Sequence, residues 1–182
     1  VGMAAVQVGR MMGAEVVATA SPSKWPAVQA LGVSRLASSR SVDFAATLRH
    51  PESGRGVDVV LNSLTGDRVD ASLSLLSPGG RLLELGKTDL RDAQQVAAAY
   101  PGVHYRAFDL WEAGVVRIRE MLASITAALA AGDLQPLPLR TFSVTDAVAA
   151  FRFMGQAKHV GKIVLVPPPE HGLFAAQRPD SA

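Results

Sequence analysis

The chain has 182 residues, of which 48% are hydrophobic and 19% charged, with a formal net charge of +2 and no cysteine. This length and apolar content allow one compact domain and argue against global disorder. The lack of cysteine excludes disulfides and cysteine-ligated zinc or iron–sulfur sites. The four histidines have no ligand spacing, so we expect no metal site. Scattered basic residues argue against nucleic-acid binding, and no apolar run has the length of a membrane span.

Helical and strand patterns alternate along the chain from its start. The first helical pattern begins at Val1 and is stopped by Gly13. The later patterns predict strands at 15–20, 35–39, 57–63, 81–86 and 103–108, helices at 24–31, 67–76 and 93–100, and a longer amphipathic helix from about 115 that Gly132 ends. The strongest strand pattern, 57–63, is apolar on both faces until Asn62, which is typical of a central parallel strand.

After Pro136 the character of the chain changes. An extended segment runs to Ser143, Thr145 is placed to cap a helix that reaches Met154, and residues 162–166 read as a closing strand. Three prolines and a polar tail follow. The sequence therefore predicts a nucleotide-binding unit at 1–135, a C-terminal segment at 136–166 and a flexible linker at 167–182.

Strands separated by helices of this length predict βαβ units and a doubly wound parallel sheet of the Rossmann type. Such a fold needs a strand and a glycine-rich turn before its first helix, yet this pattern opens on a helix at Val1. We therefore expect the first strand to lie upstream in a longer parent chain. The opening residues lack both a signal peptide's basic region and a starting methionine, which favours a fragment with a cytosolic setting.

The start of the first helix and the end of the next strand suggest a dinucleotide site. Gly2 lies where unpaired helix N–H groups favour a pyrophosphate. An NAD-specific site places Asp or Glu after the second strand, but here Ser21 and Lys24 occupy that region. A hydroxyl and an ammonium suit the 2′-phosphate of NADPH, and Arg40 is placed to add a second cation. The alternative is that Ser21 caps a helix and Lys24 is solvated.

Polar residues also end two later strands. Asn62 and Ser63 lie at the end of the fourth strand of the predicted fold, and Gly86 and Lys87 lie at the end of the fifth. Ligands of open α/β sheets bind outside the carboxyl ends of the strands, so these residues predict a ligand crevice. The alternative is that they are polar because loops begin there.

Several stretches of the chain carry a family resemblance: VGMAAVQVGRMMGAEVVATASPSKW, VDVVLNSL, RLLELGKTD, YRAFDL and AFRFMGQAKHVGKIVL. They resemble the enoylreductase domains of modular polyketide synthases and animal-type fatty acid synthases, in the medium-chain dehydrogenase/reductase superfamily. The resemblance runs from Val1 to about Val166, and the amino-terminal substrate lobe of the family is absent from the chain.

The resemblance implies residues for each part of NADPH. The phosphate loop would include Val1, Gly2 and the neighbouring Met3. The 2′-phosphate would be held by Ser21, Lys24, Ser39 and Arg40. The nicotinamide ribose and ring would be lined by Asn62, Ser63, Leu64, Leu85, Gly86 and Lys87, and the cofactor would be bordered by the closing motif with Lys158, Val160, Gly161 and Lys162.

The resemblance further implies that Lys87 and Asp109 assist protonation when an enoyl thioester is reduced. Hydride addition to the β-carbon leaves an enolate that needs charge stabilisation and a proton at the α-carbon. The alternatives are a solvated turn residue for Lys87 and a helix cap for Asp109. The implied partners are an acyl chain on an acyl carrier protein, neighbouring synthase domains and a second copy of the nucleotide unit. Apolar surface is expected on the C-terminal segment, where the substrate lobe would pack.

Other functions remain open on the sequence. A free-standing NADPH-dependent quinone or alkenal reductase of the same superfamily would have a similar cofactor unit. A Rossmann-like methyltransferase that binds S-adenosylmethionine is a second alternative, although such proteins usually keep an acid where this chain has Ser21. A binding module without catalysis is a third.

Overall fold

The computed structural model describes residues 1–168, so most of the predicted linker lies outside the described residues. Within residues 1–168 the chain forms seven α-helices and seven β-strands. Its internal contacts divide it into two units, Val1–Gln135 and a second that begins at Pro136.

The first unit alternates helices and parallel strands. Its helices are α1 (Gly2–Met11), α2 (Trp25–Gln29), α3 (Phe44–Thr47), α4 (Asp67–Leu75), α5 (Ala93–Ala99) and α6 (Gly114–Ala131). Its strands are β1 (Ala18–Ala20), β2 (Leu36–Ser38), β3 (Val57–Asn62), β4 (Leu76–Glu84) and β5 (His104–Ala107). Single 3-10 turns, Pro22–Lys24 and Leu110–Ala113, precede α2 and α6.

The strands of this unit form two separate parallel sheets. One sheet has the order β1-β2 and the other β3-β4-β5. The predicted parallel α/β fold is confirmed. In a doubly wound sheet the first strand lies between the second and the fourth, and these correspond here to β1 and β3. The gap between the two sheets therefore falls where the predicted upstream strand belongs.

The core of the first unit lies between the three-stranded sheet and helices α4 and α5. It consists of the buried side chains Val69, Leu73, Leu76, Leu82, Val96 and Val103. Val57 and Val60 of β3 pack against this cluster. A smaller cluster joins α3, β2 and the end of α4 around the buried ring of Phe44.

The strand β3 is covered on one face only. Val59 is 55% exposed and Leu61 is 42% exposed, whereas Val57 and Val60 contact the core. The sequence predicts a central strand, whereas β3 is an edge strand of its sheet within the residues described. The apolar pattern is present in the sequence, but α4 and α5 cover the sheet from one side.

Several element boundaries also differ from those predicted. Strand β1 begins at Ala18 rather than at residue 15, and β4 begins at Leu76, directly after α4. The short helix α3 was not predicted, because its four residues are too few for a periodic pattern. Gly132 ends α6 as expected, with the left-handed φ of 82° that glycine tolerates best.

The second unit contains β6 (Leu139–Ser143), α7 (Ala147–Gly155) and β7 (Lys162–Val166). The two strands pair in parallel. The predicted cap at Thr145 is wrong: Ser143 caps the 3-10 turn before α7, because its Oγ accepts a hydrogen bond of 3.3 Å from the backbone N–H of Thr145. Apolar side chains of this unit are exposed, namely Leu139, Val144, Val148, Phe151, Met154, Val164 and Val166.

The longest helix, α6, has 18 residues and is amphipathic. No helix within residues 1–168 combines the length and the apolar character that a bilayer crossing requires.

We expect the core between β4 and α4 to dominate the stability of the first unit. Leu73 is 1% exposed, so Leu73→Ala should lower the free energy of unfolding by about 2–5 kcal/mol through lost transfer energy and a cavity. Leu122 on α6 is 59% exposed, and Leu122→Ala should change that free energy by less than about 0.5 kcal/mol. Urea unfolding followed by far-UV circular dichroism measures both, and equal losses would contradict this assignment of the core.

Candidate functional site

The carboxyl ends of β3, β4 and β5 lie side by side. In the parallel register Asn62 is opposite Glu84, and Glu84 is opposite Ala107. The loops that carry the predicted residues 62–64, 85–87 and 109 therefore leave the sheet at adjacent points. This edge is where open α/β sheets bind their ligands.

A buried carboxylate joins the first two of these loops. Glu84 is 1% exposed, and its Oε2 accepts a hydrogen bond of 2.6 Å from the Asn62 side-chain amide. Its Oε1 accepts one of 2.6 Å from the backbone N–H of Gly86. Glu84 is not among the residues predicted for the site, although a glutamate inside an otherwise apolar strand is a usable signal.

Asn62 shapes the loop after β3 rather than facing a ligand. Its side chain is buried, and it makes two hydrogen bonds with the backbone of Leu64: Nδ2 donates to the carbonyl at 3.1 Å and Oδ1 accepts from the N–H at 3.3 Å. Ser63, between them, is exposed. Of the three predicted residues of this loop, Ser63 is the one whose side chain is most open to a ligand.

Lys87 and Asp109 form an ion pair across the ends of β4 and β5. The Lys87 Nζ lies 3.1 Å from Oδ2 of Asp109 and donates a hydrogen bond of 2.9 Å to the carbonyl of Phe108. The Lys87 side chain is 59% exposed and that of Asp109 49% exposed. The ammonium is thus held in place while it remains open to solvent and to a ligand.

Asp109 is also the cap of the 3-10 turn Leu110–Ala113. Its Oδ1 accepts a hydrogen bond of 3.2 Å from the Trp111 N–H, and Glu112 Oε1 accepts one of 2.8 Å from the backbone N–H of Asp109 itself. Asp109 therefore caps this turn through one carboxylate oxygen and pairs with Lys87 through the other. The Trp111 N–H bond lowers the pKa of Asp109 most, and the Lys87 ammonium lowers it further.

The outer end of the loop after β4 is fixed to the start of α4. The Asp89 carboxylate accepts a hydrogen bond of 2.6 Å from the backbone N–H of Gly66. Arg91 donates to Asp70 at 3.1 Å and to the Gly66 carbonyl at 3.2 Å, and its own backbone N–H donates to the Tyr105 hydroxyl at 3.0 Å. Lys87 therefore stands on a loop that is held at both ends.

The ends of β1 and β2 bring together the residues predicted for the 2′-phosphate. Ala20 is opposite Ser38 in the register, and the Ser39 N–H donates to the Ala20 carbonyl at 3.2 Å. Ser21 and Ser39 thus follow neighbouring strand ends. Lys24 ends the 3-10 turn that begins one residue after Ser21, and its side chain is half-buried.

The donor set at these strand ends fits a phosphate. Within residues 1–168 Lys24 and Arg40 form no ion pair with a carboxylate. The Ser21 hydroxyl lies 3.5 Å from the Ser23 hydroxyl, and Ser21 makes no side-chain cap bond to the following turn. The alternative interpretation of Ser21 as a helix cap is therefore not supported.

A shallow cavity of about 360 Å³ connects Arg40 to the start of α4. It is lined by Arg40, Ser41, Val42, Thr65, Gly66, Asp67 and Arg68. Arg68 is not among the residues predicted for the site, because its neighbours in the sequence carry no functional motif. It lines the same cavity as Arg40.

Val1, Gly2 and Met3 form the start of α1. Val1 and Gly2 are exposed, and the first turn of α1 contains no acidic residue. An anion would meet no negative charge from the helix itself there.

The four residues of the closing motif lie in the second unit. Gly161 has a φ of 80°, and a Cβ on it would collide with the Pro138 carbonyl oxygen. Lys162 donates its backbone N–H to that same carbonyl at 2.8 Å. Lys158 is exposed and Val160 half-buried. Glycine at 161 is therefore required by the packing of this unit.

The lowered pKa of Asp109 gives a test of the ion pair. Lys87→Met removes one of its causes, so the pKa should rise toward the ordinary value of 3.8 but stay below it, because the Trp111 N–H bond remains. Since the folded pKa is lowered, this group stabilises the fold above the unfolded pKa, and the contribution disappears as pH falls through the folded pKa.

Carboxyl-carbon NMR titration of Asp109 measures this change. Arg117→Met is a matched control, because Arg117 pairs with Glu120 on α6 and not with Asp109. An Asp109 titration that does not respond to Lys87→Met would contradict the pairing.

Comparisons with known proteins agree with the fold. The family model described as zinc-binding dehydrogenase matches residues 31–165. The spectinabilin polyketide synthase system protein NorB of Streptomyces orinoci is 61% identical over 171 residues, which are 93% of this chain and 8% of that protein. The chain thus spans a small part of this relative.

Two solved structures are similar over most of the chain. The structure of CurK enoyl reductase matches with a TM-score of 0.85 and 45% identity, over 92% of this chain and 51% of that one. The nucleotide-binding subdomain of the enoylreductase domain of PpsC from Mycobacterium tuberculosis matches with a TM-score of 0.63 and 37% identity, over 74% of this chain and 78% of that one.

The zinc in the family description does not fit the residues described. The sequence contains no cysteine. Residues 1–168 bring together no group of three or more His, Asp or Glu side chains that could hold a metal ion. The polar groups after β1 and β2 are instead the hydroxyls of Ser21 and Ser39 and the cations of Lys24 and Arg40.

Proposed function

We propose that this chain forms the NADPH-binding half of an enoyl-thioester reductase. The chain belongs to the zinc-binding dehydrogenase family, in the medium-chain dehydrogenase/reductase superfamily. The substrate would be an α,β-unsaturated acyl chain on an acyl carrier protein, reduced during polyketide or fatty acid extension. The observation that carries this proposal is the Lys87–Asp109 pair, which stands at the carboxyl ends of two parallel strands.

The residues of the first unit supply the groups that such a cofactor needs. We assign the 2′-phosphate to Ser21, Lys24, Ser39 and Arg40, which follow the adjacent ends of β1 and β2. We assign the pyrophosphate to the start of α1 and the nicotinamide side to the loops after β3 and β4. When bound, NADPH supplies the hydride.

Lys87 is suited to donate the proton that the reaction requires. Reduction of an enoyl thioester places negative charge on the thioester oxygen, and the α-carbon must then gain a proton. The Lys87 ammonium carries three N–H donors, of which the Phe108 carbonyl and the Asp109 carboxylate engage two. The third remains for the substrate, and an exposed side chain can regain a proton from water.

Asp109 acts through Lys87 in this proposal. Its pKa is lowered further from an ordinary value at which an aspartate is already ionised at neutral pH, so it has no proton to donate. It holds the Lys87 ammonium in place. The Lys158–Lys162 motif and the rest of the second unit would border the cofactor and pack on the substrate half of the complete domain.

The wider setting is part of the same proposal. Neighbouring synthase domains would deliver the acyl carrier protein, a second copy would pair through the nucleotide unit, and the parent would be cytoplasmic. A free-standing quinone or alkenal reductase remains the alternative, since its cofactor unit would be the same; turnover of a quinone but not of an enoyl thioester would select it. The family assignment argues against the methyltransferase alternative.

Lys87→Ala in the complete reductase domain tests the proton donor. We expect kcat on a crotonyl thioester to fall by about 10²–10⁴-fold, because a positioned acid is lost. The KM for NADPH should change by less than about threefold, since the 2′-phosphate residues are untouched. Stopped-flow absorbance of NADPH at saturating substrate measures kcat.

Arg117→Ala is the control for loss of one exposed cation, and it should leave kcat unchanged. An unchanged kcat in Lys87→Ala would refute the role of Lys87.

Ser21→Asp tests the choice of cofactor. A carboxylate at the end of β1 would repel the 2′-phosphate and accept hydrogen bonds from a ribose 2′-hydroxyl. The ratio of kcat/KM for NADPH to that for NADH should fall by about 10–100-fold, the loss of one or two charge-assisted contacts. Ser124→Asp on α6 makes the same charge change at an exposed position and should leave the ratio unchanged.

A further inference from the structure

Glu84 is a buried carboxylate that forms no ion pair within residues 1–168. A carboxylate removed from water is costly unless hydrogen bonds compensate it. Here both oxygens accept short N–H···O bonds, one from the Asn62 amide and one from the Gly86 backbone, each of 2.6 Å. Glu84 is not part of the apolar core between β4 and α4.

The two donors belong to two different loops. Asn62 fixes the first, because its amide makes two further hydrogen bonds to the backbone of Leu64. Gly86 directly precedes Lys87 in the second. One carboxylate thereby links the backbone of the loop after β3 to the backbone beside the candidate proton donor.

A larger residue at position 86 would displace the Glu84 carboxylate from its present place. A Cβ built on Gly86 would lie 2.8 Å from Oε1 of Glu84, which is closer than real Cβ contacts. Glu84 and Gly86 are therefore a matched pair, in which the glycine allows the short bond that the carboxylate requires.

We propose that Glu84 is a positioning residue that holds the loops after β3 and β4 in one fixed arrangement and so aims Lys87 at the site. Its effect on turnover rests on the proposed reductase function. Its effect on the two loops does not, since the hydrogen bonds lie wholly within this unit. Glu84 touches neither substrate nor cofactor in this assignment.

Glu84→Gln keeps the size of the side chain but replaces one acceptor oxygen with an NH₂ group. One of the two N–H donors, from Asn62 or Gly86, then faces another donor, and the loops lose their common anchor. In the complete domain kcat should fall by about 10²-fold, as expected for a misplaced catalytic group. The KM for NADPH should change by less than about threefold, because Ser21 and Lys24 still hold the 2′-phosphate.

Amide hydrogen exchange supplies a measurement that needs no turnover. In Glu84→Gln the amides of residues 63–66 and 85–88 should exchange faster, while those of α5 and β5 keep their protection. Unchanged exchange and unchanged kcat would overturn the proposal.

A second substitution separates positioning from general damage. Adding Asn62→Asp to Glu84→Gln exchanges the carboxylate and the amide between the two partners and restores the hydrogen bond between them. The exchange loses the Asn62 donation to the Leu64 carbonyl, so recovery should be partial, about tenfold in kcat. A double variant no better than Glu84→Gln would count against the anchor.

Leu73→Ala is the control for lost stability, because it weakens the core without a polar contact to either loop. At a temperature where the domain stays folded it should keep its kcat, and a kcat as low as that of Glu84→Gln would overturn the proposal.

If Glu84→Gln does not fold, Gly86→Ala perturbs the same contact from the other side, and a normal kcat there would overturn the proposal. If the unmodified domain reduces no enoyl thioester, the proposed function fails, while the exchange comparison still decides the role of Glu84.

Discussion

The site depends on the parallel register that places Asn62 opposite Glu84. That register brings the Asn62 amide to the Glu84 carboxylate at a buried position, where an unpaired charge would be costly. Once the pair forms, the backbone of each following loop is determined: Leu64 is bound by Asn62, and Gly86 by Glu84. A shift of register by one residue would turn the carboxylate to the opposite face of the sheet and separate the loops.

One face of β3 has apolar side chains that the sequence predicts to be covered but that are exposed within the residues described. Val59 and Leu61 have the apolar character of a strand covered on both faces, yet each remains largely exposed. The hydrophobic pattern is a property of the strand alone, whereas burial needs a second surface. A further strand between β1 and β3, with the segments that accompany it, would explain both the pattern and the gap.

The sequence predicted the elements better than their connections. Helical and strand periods identified most elements of the first unit, and polar residues at strand ends indicated the edge where Lys87 and Asp109 meet. Glu84 was missed because its importance comes from a residue distant in the chain: its partner Asn62 is 22 positions away. The cap at Ser143 was missed for a local reason, since Ser143 and Thr145 are equally good capping residues in sequence and only the backbone decides between them.

The cap that Asp109 forms and its ion pair with Lys87 are parts of one arrangement. The N–H of Trp111 that the cap satisfies is also the strongest cause of the lowered pKa of Asp109. A carboxylate that stays ionised holds the Lys87 ammonium 3.1 Å away, on a loop that Glu84 fixes from one side and Asp89 from the other. Local turn geometry therefore fixes where the Asp109 carboxylate lies, and that carboxylate in turn holds Lys87.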